Sequence, residues 1–391
     1  MTVTPEAEAE APVLLFNGTI HSTAEPYAEA MIVEDGQVAW LGSDETAERM
    51  AGDRLIRQDL DRALVAPAFV GRVGLELSEA SAVTMAEVLD VAAQKLGYCA
   101  LRLVVTVSVD DLADATAVQA ALAETFTAAA GHPVEVYPVL RLTGVHADGG
   151  APSIAPLNAL LDLLPAVEEA AGRPAGAAVL LREVLPNLLG VRSWAAEAGH
   201  QLLIETDGID AAEAVDAVVT TTKHLRELRQ TPTASMPTLL VGFDSAERDH
   251  WEALLNTGVH VVLTGPGHLG TALSVGVPTS AVPGEGENPW QLVSDHVHSV
   301  TEAVSARAGF NALTRGAYRS LVGASETAGQ LNPGTVATYA IWEVESLAVQ
   351  TPHSTVAAWS TDTRARTPLL PYLDGETLPR LVSTVIAGRG V

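Results

Sequence analysis

Cysteine is nearly absent: Cys99 stands alone among 391 residues, so no internal disulfide can form and the fold must rest on packing. Basic residues are also scarce. The 22 Lys and Arg face 48 Asp and Glu, a formal charge of −26 whose field repels nucleic acid and anionic membrane surfaces, so neither is an expected partner. The acidity itself is what a soluble, charge-separated surface needs. No apolar run approaches the roughly 18 residues that span a bilayer, and no charged, apolar, small-residue signal pattern precedes the first apolar segment. With one unpaired cysteine, the expected location is the cytoplasm. No Gly-x-Gly-x-x-Gly follows an early apolar segment, and neither a Gly-x-Ser-x-Gly nor a phosphate loop occurs. These gaps weigh against dinucleotide, serine-hydrolase and nucleotide-phosphate chemistry.

What the chain does have is apolar material, 48% of its residues, enough for a large core. Residues 1–11 are a Glu- and Ala-rich stretch without periodicity, read as a disordered tail. From residue 13 the pattern turns to short strands at 13–21 and 30–42, with Asp35-Gly36 as a hairpin turn, and another at 55–60. From Leu64 strands and helices alternate. Strands are expected at 64–77, 99–107, 134–140, 177–181, 201–206, 239–242, 259–263 and 272–275, separated by helical spacing at 85–96, 112–130, 157–171, 188–198, 211–228 and 246–256. Eight strands alternating with helices predict an α/β chain built as a (β/α)8 barrel of the TIM type, and a doubly wound sheet is the runner-up.

The opening of the barrel carries a resemblance. Leu64-Val-Ala-Pro-Ala-Phe-Val-Gly-Arg-Val-Gly-Leu-Glu-Leu77 is similar to the Pro-Gly-Phe-(Val/Ile)-Asp-x-His-x-His segment of the amidohydrolase superfamily. The stretch from Leu313-Thr through Ala328-Gly-Gln-Leu-Asn-Pro-Gly334 resembles that superfamily's closing helix and turn. Thr338-Tyr-Ala-Ile-Trp342 and Ser383-Thr-Val-Ile-Ala-Gly-Arg-Gly-Val391 look like its returning sandwich strands. Within the superfamily the sequence looks most like the formamide deformylase-like branch. The resemblance covers nearly the whole chain and implies a composite β-sandwich from residues 12–62 and 335–391 beside a barrel from 63–334. It also implies a divalent metal at the carboxyl ends of the barrel strands, making a water nucleophilic, with an aspartate of the last strand handling its proton.

The residues at the ligand positions depart from that pattern. A strand alternates its side chains, so His-x-His offers both rings to one ion. Here those positions fall on Val73 and Leu75, with Gly71 for the Asp and Ala68 for the Gly. Near the end of the fourth strand stand Arg182 and Glu183, and the arginine is a permanent cation that would repel a metal. In the fifth, Glu205 matches the imidazole, followed by Asp207; both are acids suited to a metal or substrate, and equally to capping the next helix. The sixth places Gly242 or Phe243, and the eighth Pro278, where the superfamily has His and Asp. His296-Val-His298 lies in a helical pattern, where residues two apart diverge. His132, His146, His200, His250 and His260 are scattered. His268, in the Gly/Pro-rich turn 264–270 after the seventh strand, is suited either to admitting a ligand or to a plain turn. Cys99 lies in an apolar strand, where a thiol is inert.

The sequence therefore predicts a barrel mouth lined by Arg72, Arg182, Glu183, Glu205, Asp207 and His268, with Arg72 or Arg182 neutralising an acid in place of a metal. No cofactor is expected. The expected role is an amidohydrolase-like protein without metal-dependent hydrolysis, binding a small molecule or a protein, with homo-oligomerisation open. The alternative is an active hydrolase of carbon–nitrogen bonds, holding a metal such as zinc with displaced ligands Glu183, Glu205, Asp207 and His268.

Overall fold

The computed structural model describes residues 11–50, 52, 54–145, 154–352, 359–360 and 367–391. Residues 1–10 of the expected tail, and His146, lie outside them. Eight parallel strands form one sheet in chain order: β1 (Phe69–Glu76), β2 (Tyr98–Ser108), β3 (Glu135–Thr143), β4 (Gly176–Leu180), β5 (Gln201–Glu205), β6 (Thr238–Val241), β7 (Val259–Leu263) and β8 (Thr279–Ala281). Helices lie between them, and the sheet curls into a half-barrel of the TIM-like (β/α)8 type. Its edges β1 and β8 are not hydrogen-bonded to each other among the described residues. The short helix Arg315–Tyr318 touches both edge strands and closes the gap.

Local chemistry explains the alternation. The β2 run is apolar almost throughout because a parallel strand is covered on both faces, and all of Tyr98–Val107 is buried. The helix Ala82–Leu96 starts where Ser81 Oγ accepts the Thr84 N–H, ends at left-handed Gly97, and buries Met85, Leu89, Ala92 and Ala93 against the strands.

Period-two alternation divides the strands into two rows. Phe69 and Leu75 of β1, with Leu101, Leu103 and Val105 of β2, join the layer beneath the helices. The other row fills the barrel. Val70, Ala100 and Tyr137 pack on Ala317, Tyr318 and Leu321 at the amino-terminal end of the strands. Above them Val104, Val139, Leu203, Leu239 and Val262 form a dry middle, where each buried aliphatic side chain contributes about 1.5–3 kcal/mol.

Strands from both chain ends share a second architecture. Val13–Phe16, Ala30–Glu34, Gln37–Gly42 and Ile56–Asp59 form one sheet, and Asp35 and Gly36, both at positive φ, make the tight hairpin turn. A second sheet joins Thr19–Ile20 and Leu64–Pro67 to Tyr339–Glu343, Arg380–Ile386 and Arg389–Gly390. The few aromatic side chains concentrate where this sheet meets the barrel: Trp290 stacks on Phe310, and both lie edge-on to Phe69. Trp342 adds further edge contacts to Phe69 and Trp290.

Two strand assignments change. The expected first strand, 64–77, is two: Leu64–Pro67 pairs with Tyr339–Trp342, and β1 begins only at Phe69. An unbroken apolar run carries no mark of the change of sheet. The segment 272–275 is not the eighth strand but the end of the helix Leu269–Val275, closed by left-handed Gly276, whose N–H donates to Ala272 O. The short run Ala-Leu-Ser-Val is too brief for periodicity to separate helix from strand.

Candidate functional site at the barrel mouth

The carboxyl ends of the strands open on a cavity of about 690 Å³. Arg72 and Glu76 come from β1, Thr106 from β2, Arg141 from β3 and Glu205 from β5, each delivered by the inward row of its strand. Glu205 ends β5 in register with Leu180 and Val241, so its own neighbours offer it no polar partner. Its carboxylate reaches across the barrel: Arg72 Nη2 donates to Oε1 at 2.6 Å and Arg141 Nη1 to Oε2 at 3.2 Å. Arg141 is steadied in turn by Thr106 Oγ1, which accepts from Nε at 3.1 Å and Nη2 at 2.6 Å, while Glu76 lies 3.7 Å away. The Glu205 side chain is only 10% exposed, and a buried carboxylate held by two guanidiniums is the arrangement that offsets its desolvation.

Arg182 and Asp207 line the same cavity at its rim, paired at 3.1 Å and largely in solvent, where such a pair contributes little. Asp207 does not cap the following helix; Asp210 does, accepting the Ala212 N–H. Glu183 and His268 depart from the expected mouth and are not among its lining residues. Glu183 is buried in the helical turn Leu181–Val184, and its Oε2 accepts the Val145 N–H at 3.2 Å. His268 precedes the helix Leu269–Val275 with its ring 3.6 Å from Glu302. The turn around it is held by Asp244, which accepts from the Thr264 and Gly265 N–H groups and from Thr264 Oγ1.

Sequence reasoning missed Arg141, Thr106 and Glu76. The signal was there for one: Arg141 is a lone cation inside the apolar segment Val-Tyr-Pro-Val-Leu-Arg-Leu-Thr, two and four residues beyond the inward Val139 and Tyr137. The register of the superfamily motif also needs correction. Val73 and Leu75 do not face the mouth; they pack in the layer under the helices, and the inward positions of β1 are Arg72, Gly74 and Glu76. Pro278 likewise lies at the opposite end of the barrel, before β8, and the residues that follow β8 toward the mouth are Val282 and Pro283. Gly242 does line the cavity, while Phe243 turns outward onto Trp251. His296 is buried and His298 Nε2 donates to Leu373 O, so that pair does not converge.

Solved structures share this architecture. Atrazine chlorohydrolase from Arthrobacter aurescens TC1, complexed with zinc, matches over 97% of this chain and 94% of its own at 12% identity and TM-score 0.62. E. coli guanine deaminase matches over 97% and 98% at 14% identity and TM-score 0.60. An adenosine deaminase from Xanthomonas campestris with bound zinc matches over 97% and 92% at 12% identity and TM-score 0.60. The chain shares the (β/α)8 TIM-like fold of these proteins. No family model and no curated protein matches the sequence. A divalent ion of the kind bound in two of these neighbours needs about three protein donors. Among the described residues no three His, Cys, Asp or Glu side chains gather for one. The acid at the strand ends, Glu205, already spends both oxygens on guanidinium cations. The described residues do not fit the ion.

Proposed function

We propose that this chain uses the amidohydrolase barrel as a binding scaffold and does not perform metal-dependent hydrolysis. The observation that carries the reading is the bridge Arg72–Glu205–Arg141, which puts two fixed cations at the strand ends where a barrel enzyme places its chemistry. The mouth around it presents guanidinium and hydroxyl donors beside carboxylate acceptors, a lining suited to a small polar molecule carrying both kinds of group. A protein partner, or a second copy of the chain, is the other occupant compatible with the reading. The flanking motifs around residues 313–334 and 383–391 favour descent from the amidohydrolase superfamily, within which the sequence looks most like the formamide deformylase-like branch. A cytoplasmic setting accords with a thiol that is single and fully buried.

An active hydrolase with displaced ligands would need Glu183, Glu205, Asp207 and His268 around one ion. Glu183 is committed to Val145 and His268 faces Glu302, so no such constellation supports that reading. The test is metal content of protein purified without chelator, beside its turnover of amides, formamides and cyclic ureas. We expect no stoichiometric zinc, nickel, manganese or iron and no turnover. Chelator-sensitive turnover by the native chain overturns the proposal.

A further inference from the structure

The opposite end of the barrel holds a second cavity, of about 940 Å³, independent of the mouth. It lies between the segments that lead into β6, β7 and β8 and the segment 316–326, which takes in the closing helix and the turn after it. Its walls are mixed, with Leu254, Val259, Tyr318 and Leu321 supplying apolar surface. Two basic groups, Arg319 and His260, and one acid, Glu326, stand in that lining. Arg319 is exposed and makes no ion pair among the described residues. His260 sits on the inward row of β7, 5% exposed, with Nε2 2.9 Å from Ser280 Oγ. Its Nδ1 makes no hydrogen bond among the described residues.

The contrast with the rest of the molecule gives this its weight. A chain of net charge −26 has acids to spare, yet Arg319 makes no ion pair among the described residues, with Glu326 of the same lining or any other acid, and the charges acting on His260 are the two cations Arg102 and Arg319. Arg102 itself is buried and, among the described residues, donates only to Ser320 and leaves Nη1 without a partner. Unpaired positive charge beside apolar surface is a site for an anion attached to an apolar body. The imidazole, flanked by cations and desolvated, is neutral at physiological pH with its value pushed down to about 3, so it serves as a hydrogen-bonding partner rather than a second charge.

We infer that this closed-end cavity binds a small organic monoanion, a carboxylate on an aromatic or branched apolar body, with its head at Arg319 and His260 and its body against Leu254, Tyr318 and Leu321. The cavity volume falls in the range of sites that enclose ligands of that size. Recognition needs no metal and no residue of the mouth.

The probe is 1-naphthoate, titrated calorimetrically into the full chain beside 1-naphthalenemethanol, which has the same body without the charge. We expect the acid to bind and the alcohol to bind about tenfold more weakly or worse, the cost of one charge-assisted hydrogen bond. Arg319→Gln, an exposed position that should leave folding intact, is expected to weaken naphthoate by a similar factor, and Ala324→Phe to exclude it by filling the wall. Arg141→Gln at the mouth should leave the titration unchanged, and the His260 imidazole resonances should shift on binding. Absence of naphthoate binding overturns the inference. So does binding that survives Arg319→Gln and disappears with Arg141→Gln, which would assign the anion to the mouth.

Discussion

At the scale of single residues, Glu205 is the pivot of the mouth, and its environment dictates what its removal does. The acid accepts from Arg72 and Arg141, whose side chains are about a quarter exposed or less, so neutralising it strands two partly desolvated cations near each other. Glu205→Gln is expected to lower stability by about 1.5–3 kcal/mol, the worth of hydrogen bonds to charged groups. Arg182→Gln removes a rim pair that is mostly in solvent, and its effect should stay within about 0.5 kcal/mol. Urea midpoints for the two variants check the contrast; equal losses would show that the mouth is not organised around Glu205. The sequence pointed to Arg72 or Arg182 neutralising an acid at the mouth, but not to which acid Arg72 meets. Arg72 and Glu205 are 133 residues apart, and which strand ends meet across a barrel is a property of closure rather than of local spacing. Arg141 escaped for a related reason. A charge in an apolar strand signals an inward polar position, and only the other strands say what it meets.

At the scale of elements, the eightfold alternation was legible because each strand is buried on both faces and each helix shows an apolar stripe, so the two periods are easily separated. The failures fell where that signal is short or continuous. Leu64–Val70 is apolar through a change of sheet, and Ala272–Val275 is too short to show a period. Register was the costlier error, since a slip of one residue moves a side chain to the other face. Placing the lost histidines at Val73 and Leu75 followed the motif, but those side chains pack outward, against the helices. The double variant Val73→His/Leu75→His is therefore expected to destabilise the protein rather than create a metal site. Leu75 is buried, and replacing it with an imidazole costs about 2–4 kcal/mol in lost burial and unpaired polar atoms. Thermal unfolding and zinc titration of the variant measure both halves of this expectation. Tight zinc binding with unchanged stability would mean that the strand faces the other way.

At the scale of the whole molecule, three buried histidines set an acid limit on the fold. His21 is pushed down to about 4, first by burial, against the opposing hydrogen bond to Leu369 O and with Arg307 nearby. His260 is pushed down to about 3 by burial and then by Arg102 and Arg319. His296 falls to about 4 through burial, partly offset by Asp295, and neither of its ring nitrogens has a protein partner among the described residues. In the unfolded chain all three return to about 6.5. Above that value both states are neutral at these positions and the histidines impose no pH dependence. As the pH falls below it, the unfolded chain takes up protons that the folded chain refuses, so stability drops with decreasing pH. Each histidine contributes a slope approaching about 1.4 kcal/mol per pH unit, and three together about 4, until the folded values near 4 and 3 are reached. By two units below neutrality the three together remove about 6 kcal/mol, which exhausts a stability at the lower end of about 5–15 kcal/mol and takes a large share of one at the upper end. Urea unfolding from pH 7.5 to 4.5 should give a flat midpoint above about pH 7 and a steep decline below 6. Replacing His296 with Gln removes one titrating group, so the variant's decline should be shallower by about 1.4 kcal/mol per unit whatever its stability at neutral pH. A native chain whose midpoint is level down to pH 5, or a variant that declines as steeply as the native chain, would show that these imidazoles are protonated in the folded state and that acid sensitivity, if present, has another origin.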